Sequence, residues 1–234
     1  MKKFLAGFMV VLSLVAIAAV VGAQDKKEPE YKMVEFHMAL LKHGPNYNAA
    51  GMPKEMQSAH IANVISLLES GKAVIAGPFA DDSDIFGVLV FRAKSAEEAK
   101  AWAEADPAVK AGFFSAELHP WWAGDILKQP AVPMKMTTAY IGFLTRGAKW
   151  TPEKTPDTEE LQKAHLANIN RLAETKKLVI AGPFGDNTDL RGIFVFKVAS
   201  LEEAKALAET DPAVQAGRLA IEMHTWMVPD GILP

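Results

Sequence analysis

The sequence predicts an α+β protein built from two copies of one β-α-β-β-α-β unit, packed sheet to sheet within a single chain. Three observations lead there. The stretch "KAVIAGPFADDSD" (72–84) returns as "KLVIAGPFGDNTD" (177–189). His60, Gly77, Asp106 and His119 return as His165, Gly182, Asp211 and His224, each 105 residues later, with no insertion interrupting that register. Strand-like and helix-like patterns then follow one another within a copy in an order that one small domain can satisfy.

The elements of the first copy follow in turn. "YKMVEFHMALL" (31–41) is rich in strand formers. "PKEMQSAHIANVISLLESG" (53–71) sets Ile61, Val64, Ile65 and Leu68 at i, i+3, i+4 and i+7, with Pro53 near its start and Gly71 at its end, which predicts a helix. "KAVIAGPF" is a short strand stopped by Gly77-Pro78, and "DIFGVLVFRA" (84–93) is the next. "SAEEAKAWAEAD" (95–106) opens with Ser95 and Glu98 at capping-box spacing and continues as an alanine-rich helix. "GFFSAELHPWW" (112–122) is the closing strand. This order is that of a ferredoxin-like unit, in which both helices cover one face of a four-stranded antiparallel sheet.

The other sheet face of each unit is then bare. Two units in one chain can lay those faces together as an intramolecular pseudo-dimer, a closed α/β barrel, and that gives the duplication a physical motive. Alternation on the closing strand supports it: Phe114, Ala116 and Leu118 point toward the helices, whereas Ser115, Glu117 and His119 point into the seam. Leu219, Ile221 and Met223 oppose Ala220, Glu222 and His224 in the same way.

The chain opens with Lys2 and Lys3, an apolar run from Phe4 to Val21, and small residues up to Ala23. This pattern predicts a signal peptide over 1–23, cleaved after Ala23, with a retained membrane anchor as the alternative. Domain boundaries follow as 24–128 for the first repeat, 129–134 for a linker and 135–234 for the second. The expected location is the periplasm or the medium. With no cysteine in the chain, lipid attachment at the cleavage site, disulfides and thiol nucleophiles are all excluded. The formal net charge is −3, and the signal removes two lysines and no acids, so nucleic acid is a poor partner. A small-molecule ligand is the expected partner, with no membrane contact after cleavage; further oligomerisation of the pseudo-dimer stays open.

In the predicted topology His60, the "GPFADDSD" loop and "DPAVKAG" (106–112) converge on one end of the sheet. His165, "GPFGDNTD" and "DPAVQAG" do the same in the second copy. The candidate acid-base residues are thus His60, His165, Asp106 and Asp211, and the candidate ligand-binding residues are Gly77, Pro78, Asp81, Gly182, Pro183 and Asp186. A neutral imidazole can accept a proton from carbon or oxygen, and a neighbouring carboxylate can orient the ring and stabilise its charged form. The plain alternatives are that each histidine is half-buried and bonded to a backbone carbonyl, that Gly77-Pro78 only ends a strand, and that Asp106-Pro107 only ends a helix. The helix dipole gives little tuning, since His165 lies about two turns beyond a cap at Asp157.

These motifs, "AH" entering a helix, "AGPF" followed by acids, "S.EEAKA" and "DPAV.AG" before a strand ending near Trp121 or Trp226, resemble the YciI-like (YCII-related) domains, and the resemblance spans both copies. It implies ferredoxin-like units forming dimeric α/β barrels, with a histidine and an aspartate as the active site. The histidine maps to His60 and His165. The aspartate maps first to Asp106 and Asp211, and second to Asp81 and Asp186. Relatives that act on chlorinated aromatic compounds, or resemble muconolactone-type isomerases, imply a lyase or isomerase working on a small acid or phenol. The alternatives are a binding protein using the same pockets without catalysis, and a structural module.

Glu117 with His119 and Glu222 with His224 form a second constellation, expected to share its face with Glu35 and His37. In the 105-residue register the second copy carries Tyr140 and Gly142 in place of that last pair, so a symmetric metal site is not supported. A hydrogen-bonded interface network is preferred over metal binding. The chain has no phosphate-binding glycine loop, GxSxG, CxxCH or HExxH, and no cofactor is expected.

Overall fold

Eleven residues of strand, Met33–His43 (β1), lead to the helix Lys54–Glu69 (α1), followed by Ala73–Pro78 (β2) and Ile85–Phe91 (β3). Two helices, Ala96–Glu104 (α2) and the single turn Pro107–Lys110 (α3), precede the strand Phe114–Gly124 (β4). The second copy repeats the order as Met136–Arg146 (β5), Pro156–Glu174 (α4), Leu178–Pro183 (β6), Leu190–Phe196 (β7), Leu201–Ala208 (α5), Pro212–Gln215 (α6) and Leu219–Pro229 (β8). The structure is a computed structural model and describes residues 32–48, 51–128, 130 and 133–234. The signal peptide expected over 1–23 lies outside the described residues, as do 129, 131 and 132 of the linker.

Each copy forms a four-stranded antiparallel sheet, in the order β2-β3-β1-β4 and β6-β7-β5-β8. The short helix α3, with its twin α6, is an addition to the expected order, and it exists because Asp106 and Asp211 cap it. Asp106 Oδ1 accepts from the Ala108 N–H at 2.9 Å, and Pro107 takes the first helical position, where no N–H is needed. Ser95 caps α2 as predicted, by accepting from the Glu98 N–H, but Glu98 accepts from the Lys94 N–H rather than from Ser95. Thr155, not Asp157, caps α4, in a reciprocal box with Thr158.

The bare faces do meet. Phe36, Met38 and Leu40 of β1 are essentially inaccessible, and they belong to one buried cluster that also holds Ile141, Phe143, Ile193 and Val195 of the second copy. The barrel closes where β2 approaches β8 and β4 approaches β6. Phe79 bridges Trp226 and Phe184 bridges Trp121. The indole N–H of Trp121 donates to the Gly182 carbonyl at 3.2 Å, and that of Trp226 to the Gly77 carbonyl at 3.0 Å. Two glycines permit this approach: a Cβ on Gly77 would lie 1.7 Å from the Met227 carbonyl oxygen, and one on Gly182 1.9 Å from that of Trp122. Gly-Pro therefore recurs first because two sheets must touch there.

The register corrects two expectations. His37 lies opposite Pro120 and Glu35 opposite Trp122, and directly opposed residues share a face. Glu35 and His37 are thus on the helix side, away from His119, which lies opposite Met38. Their counterparts are Thr138 and Tyr140, not Tyr140 and Gly142, since Thr138 lies opposite Met227 and Tyr140 opposite Thr225. The second copy has two extra residues between its first strand and first helix, so the spacing is 103 before that point and 105 after it.

Candidate functional site

α1 carries His60 and Asn63 one turn apart, and both reach Asp106. His60 Nδ1 lies 2.9 Å from Asp106 Oδ2, and the Asn63 side-chain amide donates to the same oxygen at 2.8 Å. The other oxygen accepts from the N–H groups of Ala108 and Val109, at 2.9 and 3.4 Å. One carboxylate is thus saturated by a helix cap on one side and an imidazole and an amide on the other. Burial would push the Asp106 carboxyl up, but the hydrogen bond and charge of His60, with the Asn63 and Ala108 donors, outweigh it and hold the group below the ordinary carboxylate value. Asp106 is an acceptor at neutral pH. That assigns the proton of the neutral ring to Nδ1 and leaves Nε2 as a base.

The second copy repeats the arrangement. His165 Nδ1 lies 2.8 Å from Asp211 Oδ2, the Asn168 amide donates to that oxygen at 3.4 Å, and the Ala213 N–H donates to Oδ1 at 2.9 Å. In neither histidine does Nε2 find a hydrogen-bond partner among the described residues, and both rings line a cavity. Asn63 and Asn168 were not singled out from the sequence. The signal that could have found them was an amide three residues after each histidine, on the same helix face, kept in both copies.

The first cavity, about 390 Å³, lies between α1 and the ends of β2 and β3. Gln57, His60, Ile61, Val64, Ile65 and Leu68 form its helix wall, and Gly77, Pro78 and Phe86 part of its floor. Phe86 reaches the cavity because of a bulge: Leu41 pairs with Gly87 and Lys42 with Ile85, so Phe86 is the extra residue. The stripe on α1 predicted from helical spacing is therefore largely cavity wall. Ile61 and Ile65 are exposed, and only Leu68 of the four is buried. The second cavity, about 330 Å³, is lined by Gln162, His165, Leu166, Ile169, Gly182 and Pro183 at the matching positions, and also by Trp150 and Arg191. Each cavity borrows from the other repeat: Met136 and Pro229 wall the first, and Met33, the counterpart of Met136, walls the second.

Asp81 and Asp186, expected as ligand-binding residues or as second-choice partners of His60 and His165, lie elsewhere. Asp186 Oδ2 is 2.6 Å from His119 Nδ1, and Asp81 accepts from the Thr225 N–H at 3.0 Å with His224 Nδ1 3.3 Å away. Both contacts tie one repeat to the other, so the acidic loops clamp the barrel and line neither cavity. Burial acts to raise the Asp186 carboxyl, but His119 and the Thr188 hydroxyl prevail and hold it low. His119 Nε2 also meets Glu117 at 3.1 Å, and Glu117 in turn pairs with Lys42. The constellation read as an interface network is a chain of charge-assisted contacts across the seam.

Two ferredoxin-like units closed on each other, each with its own cavity, define a dimeric α/β barrel formed within a single chain. The chain belongs to the YCII-related domain family, whose model matches twice, over residues 24–121 and 145–223. It is similar to the uncharacterized protein YjpA of Bacillus subtilis (strain 168), with 34% identity over 73 residues, which is 30% of this chain and 84% of that protein. Among solved structures it is similar to chlorite dismutase from Candidatus Nitrospira defluvii, with a TM-score of 0.53 and 13% identity over 85% of this chain and 92% of that one. A heme-binding protein from Thermus thermophilus gives a TM-score of 0.52 and 13% identity over 86% of this chain and 94% of that one. At such identities the likeness shows the barrel fold alone.

Proposed function

We propose that the protein is an exported small-molecule enzyme of the lyase or isomerase type, in which His60 and His165 act as general bases and acids with Asp106 and Asp211 as their partners. The observation that carries this reading is the pairing itself: an imidazole fixed through Nδ1 by a saturated carboxylate, its Nε2 without a hydrogen-bond partner among the described residues, in a ring that lines a cavity of ligand size. Nε2 takes a proton from an acidic C–H or O–H of the bound substrate. The imidazolium that forms is stabilised by the carboxylate 2.8 to 2.9 Å away. The same nitrogen then returns the proton to another atom of the substrate, which is an isomerisation, or the carbanion expels a leaving group, which is an elimination. Neither course consumes an oxidant or a reductant. The apolar walls favour substrates with a planar or aliphatic body, and Gln57 or Gln162 supplies an orienting amide.

Export rests on the charged, apolar and small-residue pattern of residues 1–23. No helix among the described residues is long and apolar enough to cross a membrane.

The test is proton exchange. Small carboxylic acids and phenols with acidic C–H groups are incubated in D2O with the mature protein, and wash-in of deuterium is followed by NMR. Wild type exchanges one ligand class, Asp106→Asn/Asp211→Asn loses most of that rate, and His60→Ala/His165→Ala loses it all. If both double variants stay folded and still bind the ligand, yet exchange it as fast as wild type, the acid-base reading fails and the cavities only bind.

A further inference from the structure

We infer that the second cavity is built for a small planar carboxylate, such as an aromatic acid, whereas the first takes an uncharged body. This inference deepens the reading of the cavities as small-molecule sites and rests on it. It comes from four positions at which the copies differ. Arg191 occupies the place of Phe86 and Arg218 that of Phe113; ahead of the two-residue insertion, Arg146 replaces His43 and Trp150 replaces Tyr47. In the first copy the mouth carries no fixed cation from these positions: His43 stacks on Tyr47 with ring centres 3.8 Å apart, and Phe86 packs on Phe114 at 4.5 Å. In the second, the guanidinium carbons of Arg218, Arg191 and Arg146 lie 4.5, 5.0 and 5.6 Å from the centre of the Trp150 ring.

Fold stability alone does not account for this group. An indole ring has two faces, and each attracts one cation. Three guanidinium groups around it repel one another, and among the described residues a single carboxylate answers them: Asp189, itself largely exposed, 3.5 Å from Arg146. Arg218 donates to the Thr151 hydroxyl. Among the described residues the Arg191 guanidinium hydrogen-bonds only to the backbone carbonyls of Asp186 and Thr188, both at 3.5 Å. Arg146 binds Asn187, and its Nε is buried with no hydrogen-bond partner among the described residues. Arg191 also lines the cavity with Trp150 and His165. An anion bound beside Arg191 would offset the repulsion among the three guanidinium groups.

The geometry defines the ligand. A carboxylate suits a planar guanidinium, which donates two parallel hydrogen bonds to it. Leu144, Leu166 and Ile169 line the same cavity as Arg191 and supply apolar surface for the ring that carries the carboxylate. The ligand body then extends from Arg191 toward His165, the group proposed to move its proton. Because two cavities share one chain, the difference lets one protein handle a neutral and an acidic compound of similar shape.

The experiment is a calorimetric titration of the mature protein with benzoate and with benzamide, its uncharged isostere. Benzoate is expected to bind one site per chain, with an affinity that falls as salt is raised. Arg191→Phe, which installs the residue of the first copy, is expected to weaken benzoate at least about tenfold, the worth of a hydrogen bond to a charged group, and to leave benzamide unchanged. Should that variant fail to fold, the arginine Nε–Hε signals of the wild type decide the matter: benzoate must shift Arg191, and benzamide must not. No benzoate binding, equal binding by Arg191→Phe, or inorganic phosphate competing as well as benzoate each overturn the assignment. The two readings fail separately: loss of benzoate binding in Arg191→Phe with proton exchange at the His60 cavity intact concerns only this assignment, whereas loss of exchange in His60→Ala/His165→Ala concerns the acid-base reading.

Discussion

The two repeats keep the same histidine, aspartate and asparagine in the same geometry, yet they surround them with different mouths, one aromatic and neutral, the other cationic. The interior of a site and its rim are thus under different constraints. The His-Asp-Asn cluster is fixed because Asp106 and Asp211 also cap α3 and α6, so a change there costs both a helix start and a buried ion partner. Phe86 lines the first cavity, His43 and Tyr47 are exposed, and the counterparts of these three residues and of Phe113 differ while the fold stays the same. Duplication followed by divergence at the rim is the simplest account of one chain with two chemically distinct pockets.

The seam is what both copies need equally, and damage there is expected to be largest. Replacing Gly77 or Gly182 by valine drives a side chain into the opposing backbone, and each is expected to destabilise the protein by about 3 kcal/mol, read as a lower denaturation midpoint. A loss confined to one of the two would show that the sheets do not approach alike at both edges. Next in size is the shared cluster. Asp106→Ala removes the cap of α3 and strands His60 and Asn63, and is expected to cost about 2 to 3 kcal/mol. Asp106→Asn keeps an acceptor for the Ala108 N–H and is expected to lose less than half of that. Equal midpoints for the two variants would argue that the ion partner, and not the cap, sets the aspartate.

Acid should then separate the cluster from the seam. Asp106 and Asp186 both have carboxyl groups held below their unfolded values. A depressed carboxyl contributes stability above its unfolded value, near pH ~3.9, and that contribution is lost as pH falls through the lower folded value. Thermal midpoints are therefore expected to hold from neutrality to about pH 4 and fall below it. His119→Ala should flatten the part due to Asp186 and leave the part due to Asp106. A midpoint that climbs below about pH 4 would reverse the sign and speak against both pairings.

The smallest effect is at the end of the first helix of each repeat. Gly71 adopts a φ of 72°, where glycine is at ease, and the matching residue of the second copy is Lys176 at 59°. Lys176→Gly is expected to raise stability by about 1 kcal/mol, with the midpoint measured against an otherwise identical chain. No gain would mean that the unfolded chain offsets the relief through glycine's extra freedom.

Much of the fold was legible because its signals are local or repeated. The strands and main helices of each copy follow from alternation, helical spacing and punctuation by Gly77, Pro78 and Ser95, and the bare sheet faces follow from the alternation around His119. The aspartates that meet the histidines were named as well. What escaped depends on long-range register. The two-residue insertion before α4 is hidden because only isolated matches such as Gly44 with Gly147 hold the 103-residue spacing ahead of it, and the 105-residue register therefore sets Glu35 and His37 against the wrong residues. Asp81 and Asp186 look like pocket acids within one repeat, and their clamping role appears only when the partner sheet is present. The stripe of Ile61 and Ile65 reads as core by period alone, although the cavity leaves those residues exposed. The cationic rim of the second cavity comes from residues spread between 146 and 218, and only the folded barrel gathers them around Trp150.

The acid-base chemistry proposed for the two cavities depends on both histidines presenting an unprotonated Nε2 to them. Nitrogen NMR of the histidine-labelled mature protein, at a pH where imidazole is neutral, reads that state ring by ring. His60 and His165 are both expected to show a protonated Nδ1 and a bare Nε2, and a cavity ligand is expected to shift Nε2 first. A protonated Nε2 in either ring, with Nδ1 bare against its aspartate, would refute the acid-base assignment for that repeat.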